Sequence, residues 1–176
     1  DNLTRAVQKT NEELSRKLEL ILKSNRDGLL ICIPGIWEKL NGFKSYAYWF
    51  NMHHLYRHGH VWKKLLSYKK KYGDTNMTRP YLAYVDRSNS AYVFKKLFSI
   101  WANKDVVLVE GSKSRLGVGN DMFDSVKSLQ RILCPPESAY DKYEKIKNEA
   151  LKIDKDKLIL LSLGPTAKFL AYDLFL

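Results

Sequence analysis

Between Glu38 and Asp74 this chain carries no carboxylate. It also lacks any run approaching the roughly 18 uncharged apolar residues that a membrane span requires. The opening stretch DNLTRAVQKTNEELSRKLEL is polar with helical periodicity, so it reads as a helix rather than a secretory leader. Cysteine is scarce. Cys32 falls in an apolar run and Cys134 just before Pro135-Pro136, which gives neither a Cys-x-x-Cys pair nor a disulfide framework. A reducing cytoplasm is the simplest compartment for such usage. Internal repeats and low-complexity linkers are missing too, and 176 residues suit one domain able to bury a core without disulfides or structural metal.

Where acid is absent, base is plentiful. The carboxylate-free stretch holds Lys39, Lys44, Arg57, Lys63, Lys64, Lys69, Lys70 and Lys71, within a chain of net charge +11. Such a block makes a positive surface that attracts anions. Nucleic acid, nucleotide phosphate, anionic lipid and acidic glycan all satisfy that charge. All four histidines fall in the same stretch, as His53, His54, His58 and His60. On a helix His54 and His58 share a face at metal-ligand spacing, but Arg57 intervenes and no carboxylate or cysteine is near, so a solvated aromatic-basic helix competes with a zinc site. Trp37, Trp49, Trp62, Tyr46, Tyr48, Tyr56 and Tyr68 interleave with the cations. They suit stacking on a sugar ring or a base, or helix–helix packing with lysines outside.

Along the chain, Thr10-Asn11-Glu12-Glu13 has capping-box spacing ahead of Leu14, Leu18 and Ile21 on one helical face. A buried strand is expected over 29–33, stopped by Pro34-Gly35. A basic helix follows from Phe43 towards Tyr72, with Gly59 as a possible break, then a loop over 73–80 and a helix capped by Ser88 or Ser90. Asp105 to Glu110 reads as a strand and Gly111 to Asn120 as a glycine-rich loop. Asp121 is expected to cap a helix carrying Met122, Val126, Leu129 and Leu133. Another helix is expected from Glu137 to about Ile153, a second buried strand over 157–163, and a last helix opened by Gly164-Pro165-Thr166. Strands alternating with helices predict an α/β fold, a Rossmann-like and mostly parallel sheet flanked by helices on both faces.

Ligands of such sheets bind beyond the carboxyl ends of the strands. In the first loop, Gly111, Gly117 and Gly119 permit tight turns, Lys113 and Arg115 add charge, and a helix after Asp121 would offer N–H groups to a phosphate. The competing account is a surface turn in which Asn120 or Asp121 merely caps a helix. It is not a Walker A loop, nor a dinucleotide fingerprint, since the third glycine is out of position. The Gly164-Pro165-Thr166 loop is a second, weaker candidate.

The segment from Val109 to Asp124, VEGSKSRLGVGNDMFD, resembles the signature of the GT-D-type bacterial glycosyltransferases. Thr78-Arg79-Pro80-Tyr81, the 127–135 stretch KSLQRILCP and Leu163-Gly164-Pro165-Thr166-Ala167 resemble the same family in the same order, and the 11–18 and 29–34 stretches do so more loosely. The resemblance implies transfer of a sugar, commonly glucose, from a UDP-sugar donor to the acceptor glycan of a surface glycoprotein or cell-surface polysaccharide. It implies a divalent metal, manganese or magnesium. Donor ligands implied here are Arg79, Lys113, Ser114, Arg115, Gly117, Gly119 and Asn120, with Gly164 and Thr166 behind them. The family's metal-binding Asp-x-Glu precedes its first long helix, and no Asp-x-Glu occurs in this sequence. The metal ligands are therefore expected mostly outside these 176 residues, with Glu110 and Asp121 as weak local candidates, and the domain is expected to be incomplete at both ends. Two other classes compete. A basic nucleic-acid- or glycan-binding domain fits the charge but not the glycine-rich loop, and lacks the usual nucleic-acid signatures. An interaction domain without catalysis fits the missing acidic motif.

Overall fold

A run of five residues, Val106 to Glu110, is almost wholly withdrawn from water, none more than 1% exposed. Four are aliphatic and three of those are β-branched valines, which suits a strand covered on both faces. This is the middle strand of a parallel sheet. The computed structural model describes residues 12–35, 40, 42–82 and 84–176. The described residues fall into two compact units, one over 12–18 with 98–176 and one within 19–97.

In the first unit β3 (Asp105–Gly111) lies between β4 (Ser128–Cys134) and β5 (Leu158–Ser162), both parallel to it. The registers pair Glu110 with Leu133 on one side and with Ser162 on the other. Two helices, α4 (Tyr143–Ala150) and α5 (Pro165–Phe175), bury Tyr143, Ile146, Ala150, Phe169 and Leu170. Pro165 stands in the first turn of α5, where its missing N–H costs nothing. A polar knot joins these helices to Lys17. One oxygen of Asp173 accepts from Tyr143 Oη at 2.7 Å, Lys17 Nζ at 2.8 Å and Lys147 Nζ at 3.0 Å.

In the second unit, β1 (Cys32–Ile33) and β2 (Gly73–Asp74) form a short parallel pair. Both oxygens of Asp74 are engaged: Oδ1 accepts from the N–H groups of Asn76 at 2.8 Å and Gly35 at 3.2 Å, and Oδ2 from Tyr84 Oη at 2.9 Å. The long helix α2 (Ser45–Leu65) has no buried residue, and α3 runs from Ser90 to Phe98. Helix α1 (Glu12–Lys23) buries Leu14 and Ile21 as its periodicity predicts, while the Thr10-Asn11 cap lies outside the described residues, as do Trp37 and Lys39. Among the described residues no helix is long and apolar enough to cross a membrane.

The α/β class and the parallel pairing agree with the sequence reading. Several elements do not. The helix expected from Asp121 to Leu133 does not exist: turns run to Lys127 and β4 follows. Its four-three-four spacing of apolar residues is misleading, since Leu133 is 63% exposed. Backbone bonds from Asn103 N–H to Ser125 O at 2.7 Å and from Lys127 N–H to Lys104 O at 2.9 Å tie these turns to the residues just before β3. Gly59 does not interrupt α2, because helical tolerance outweighs the roughly 1 kcal/mol that an internal glycine costs. The helix over 137–153 divides into a 3-10 turn (Ala139–Lys142) and α4, with Ser138 in the left-handed region at φ 48°. The loop over 73–80 contains β2 and a 3-10 turn.

Candidate functional site

The carboxyl ends of β3 and β5 bring two sequence-distant loops together. Ser114 Oγ of the glycine-rich loop lies 3.3 Å from Ser162 Oγ, the last residue of β5, two residues before Gly164. Lys113, Ser114, Arg115, Gly119 and Asn120 are exposed there, with Gly117 half-buried. Gly164 is exposed, whereas Thr166 is 1% exposed and so withdrawn from solvent in the first turn of α5. Arg79 is exposed in the other unit, where its N–H donates to Asn76 O at 2.8 Å.

The loop's path is dictated by a few local constraints. At Gly111 a Cβ would stand 3.4 Å from the backbone of Pro136, so the chain leaving β3 passes tightly against the one leaving β4. Gly117 has φ 72°, and a Cβ there would also run into the ring of Phe123. That ring is buried against Trp101, whose indole N–H donates to Met122 O at 2.9 Å. Gly119 also has positive φ, 81°, with open space around it. Arg115 is the exception, a non-glycine residue at φ 50°. Left-handed backbone costs an ordinary L-residue about 1–2 kcal/mol, and such strain clusters where a side chain has work to do.

Glu110 sits beneath this loop, 1% exposed. Its Oε2 accepts from Leu116 N–H at 3.0 Å, its Oε1 accepts from Arg131 Nη1, and Arg131 Nη2 donates to Leu116 O at 2.8 Å. Burial pushes the Glu110 carboxyl up, but bonds from Leu116 N–H, Arg131 and Ser114 outweigh it and hold the group below the usual carboxylate range. Glu110 is thus an ionised structural acceptor with both oxygens in use, which argues against its weak candidacy as a metal ligand. Asp121 is exposed and caps no helix. Asn120 Oδ1 accepts from Met122 N–H at 3.0 Å, an Asx turn that closes the loop locally. The helix N-terminus expected after Asp121 is absent, so any anion here meets loop amides and the Lys113 and Arg115 side chains instead. Sequence reasoning missed Arg131. The register pairs it with Leu108, which sets it on the same face of the sheet as Glu110.

Residues 2–176 match the family described as the glycosyltransferase GT-D fold. The chain belongs to that family. It is 39% identical over 168 residues to the glycosyltransferase GlyD of Streptococcus pneumoniae serotype 4, covering 95% of this chain and 20% of that protein. It is equally 39% identical to the probable glycosyl transferase Gly of Streptococcus gordonii, covering 95% of this chain and 24% of the relative. A solved glycosyltransferase from Streptococcus sanguinis superposes with a TM-score of 0.90 at 37% identity, over 96% of this chain and 63% of the other. A solved domain of unknown function 1792, described as having a distinct glycosyltransferase fold, gives a TM-score of 0.91 at 36% identity, over 95% and 60%. The GT-D chain thus spans a fifth to a quarter of the curated relatives' length and about three-fifths of the solved ones.

The resemblance stated above implies a divalent metal, and the donor groups among the described residues do not fit one. Among the described residues no three His, Cys, Asp or Glu side chains gather to hold an ion. A hard cation wants several converging oxygens, and Glu110 and Asp74 have theirs hydrogen-bonded already. The histidines of α2 fare no better: His54 Nε2 accepts from the Trp62 indole N–H at 2.9 Å. Burial, and secondarily His58, lowers the His54 pKa. This supports the solvated aromatic-basic reading over zinc. The second unit also contains an open cavity of about 1200 Å3 lined by Lys63, Lys70, Lys71, Tyr68, Tyr72 and Asp74, among others. Its Lys70 ammonium donates to the carbonyls of Leu22, at 3.2 Å, and Ser24.

Proposed function

We propose that this chain supplies the donor-phosphate part of a cytoplasmic glycosyltransferase, one that moves a hexose, glucose in the first instance, from a UDP-sugar to an acceptor glycan of a surface glycoprotein or polysaccharide. The observation that carries the reading is the loop after β3, with Arg115 in a left-handed conformation between the exposed Lys113 and the positive-φ Gly117. Breaking the bond at the anomeric carbon leaves negative charge on the departing nucleoside diphosphate. Fixed cations and backbone dipoles already aimed at that charge stabilise it without reorganising during the reaction. In this reading Arg115 takes the diphosphate as a fork and Lys113 as a point charge. The Gly117–Asn120 backbone permits close approach, and Gly164 borders the sugar side. Manganese or magnesium, where used, is held by carboxylates other than those described here.

Calorimetric titration with UDP tests this. Arg115→Ala should weaken UDP binding by about 1.5–3 kcal/mol, the range for a hydrogen bond to a charged group. Added manganese should leave UDP affinity of the 176-residue chain nearly unchanged. Equal affinity of a folded Arg115→Ala variant would remove Arg115 from the site, and strong manganese dependence would return the metal to these residues.

A further inference from the structure

The strain at Arg115 needs something to hold it, and the structure shows what does. Leu116 lies between two left-handed residues, Arg115 at φ 50° and Gly117 at φ 72°. Both of its backbone polar groups are taken by side chains from beneath: its N–H by Glu110 and its C=O by Arg131. Those two side chains are themselves paired through Glu110 Oε1 and Arg131 Nη1. Glu110 comes from the carboxyl end of β3 and Arg131 from the middle of β4, so two paired strands of the sheet grip the loop at one residue. We propose that Glu110 and Arg131 are positioning residues, a buried ion pair that clamps Leu116 and thereby presents Arg115 and the Gly117–Asn120 backbone in the conformation that receives the donor diphosphate.

The proposal rests on the nucleotide reading of this loop given above, and it goes beyond that reading by assigning the affinity partly to two side chains that never touch the ligand. A charge pair serving stability alone predicts something different. Replacing both partners of a buried pair by neutral groups is often close to neutral for stability, whereas removing one partner leaves an uncompensated charge. The double variant Glu110→Gln with Arg131→Met should therefore recover most of the thermal stability lost by Arg131→Met alone. It should not recover UDP affinity, because methionine cannot donate to Leu116 O. Arg131→Lys keeps the charge but places one ammonium where a planar fork served two acceptors, so it should restore affinity only in part.

The test is UDP titration of the full protein, with amide hydrogen exchange at Leu116 to Gly119 read without ligand. Arg131→Met should raise the UDP dissociation constant about tenfold or more, as loss of an ordered binding loop does, and should speed exchange at Leu116. Glu110→Gln retains one acceptor for Leu116 N–H and should raise it less, about threefold. Lys127→Met is the control. It removes a pair with Asp105 at the far end of the same two strands and should leave UDP affinity within about twofold. Should Arg131→Met fail to fold, the double variant carries the comparison. Wild-type affinity in a folded Arg131→Met or double variant overturns the clamp while leaving the nucleotide reading intact. Absence of UDP binding by the wild-type protein, with normal protection at Leu116, overturns the nucleotide reading first and the proposed role with it.

Discussion

The two units of this chain differ most in what they bury. Of the buried hydrophobic residues described, only Ile21, Ile31, Ile33 and Phe43 belong to the unit over 19–97, while the other unit buries β3, α4 and α5 residues in depth. The contrast is sharpest between Phe169, fully buried, and Tyr56, 89% exposed on a helix with no buried residue. The first unit builds a rigid floor and sets a strained loop on it. The second spends its aromatics and lysines on surface. Rigid floors suit the fixing of reacting charge, because misplacement by about an ångström is costly there. Surface aromatics and lysines suit contact with something larger and less defined.

The comparison breaks most visibly under core truncation. Phe169→Ala should cost about 3–5 kcal/mol, as deletion of a buried aromatic ring does, whereas Tyr56→Ala should stay within about 0.5 kcal/mol. Urea denaturation followed by tryptophan fluorescence measures both. A similar loss for the two variants would mean that Tyr56 is covered in the folded protein and that the contrast between the units is not real.

Acid sharpens the same contrast at a single carboxylate. Burial raises the Asp173 carboxyl, but hydrogen bonds from Lys17, Tyr143 and Lys147 outweigh it, and the folded value lies below the ordinary 3.8. A depressed folded value adds stability that is fully present above the unfolded value and is lost as pH falls through the folded one. Asp173→Asn removes that contribution and leaves two lysines facing a neutral amide. It should destabilise by about 2 kcal/mol at pH 7, the range for hydrogen bonds to a charged group. The gap between wild type and variant should persist at pH 5 and close only below about pH 4. A gap that is independent of pH down to pH 2 would show that the carboxylate's charge contributes nothing.

Much of the first unit was legible because its strands are apolar runs between turn signals. Val106 to Val109 form a buried strand as expected, whereas Leu158 to Leu161 form the expected strand but stay half-buried. Pro165 after Gly164 marks α5 for a steric reason that acts locally. The 121–133 segment was not legible. Its apolar spacing fits a helix, and the facts that decide for a strand are distant: pairing with β3, bonds to residues 103 and 104, and the meeting of Arg131 with Glu110. The loop's glycines announced a tight turn, but not that a buried carboxylate of the middle strand would anchor it. Glu110 looked like a lone acid at a strand end, and only its partners define its use. In the second unit a basic helix was legible from charge, but the expected packing of its aromatics into a helix–helix core does not occur: α2 buries no residue, and Tyr46, Trp49, Tyr56 and Tyr68 are exposed. The short β1–β2 pairing rests on two residues each and gave no periodic signal.

The smallest expected effect is also the most diagnostic, because its sign differs between stability and binding. Arg115 holds φ 50° without glycine's freedom, and its side chain is exposed, so folding gains little from it. Arg115→Gly relieves about 1–2 kcal/mol of backbone strain. It also loosens the unfolded chain, which offsets part of that gain by about 0.4–1 kcal/mol. The net result should be a protein more stable by about 0.5 kcal/mol, or at worst unchanged. UDP affinity should fall at least as far as in Arg115→Ala, since the guanidinium is gone and the loop is freer. Strain retained at a residue whose replacement improves folding is the mark of a side chain kept for binding. Thermal unfolding and calorimetry on the same preparation read the two quantities together. A variant that loses stability and keeps its affinity would show that Arg115 serves the fold, and the donor phosphates would then have to meet Lys113 and the Gly117–Asn120 backbone without it.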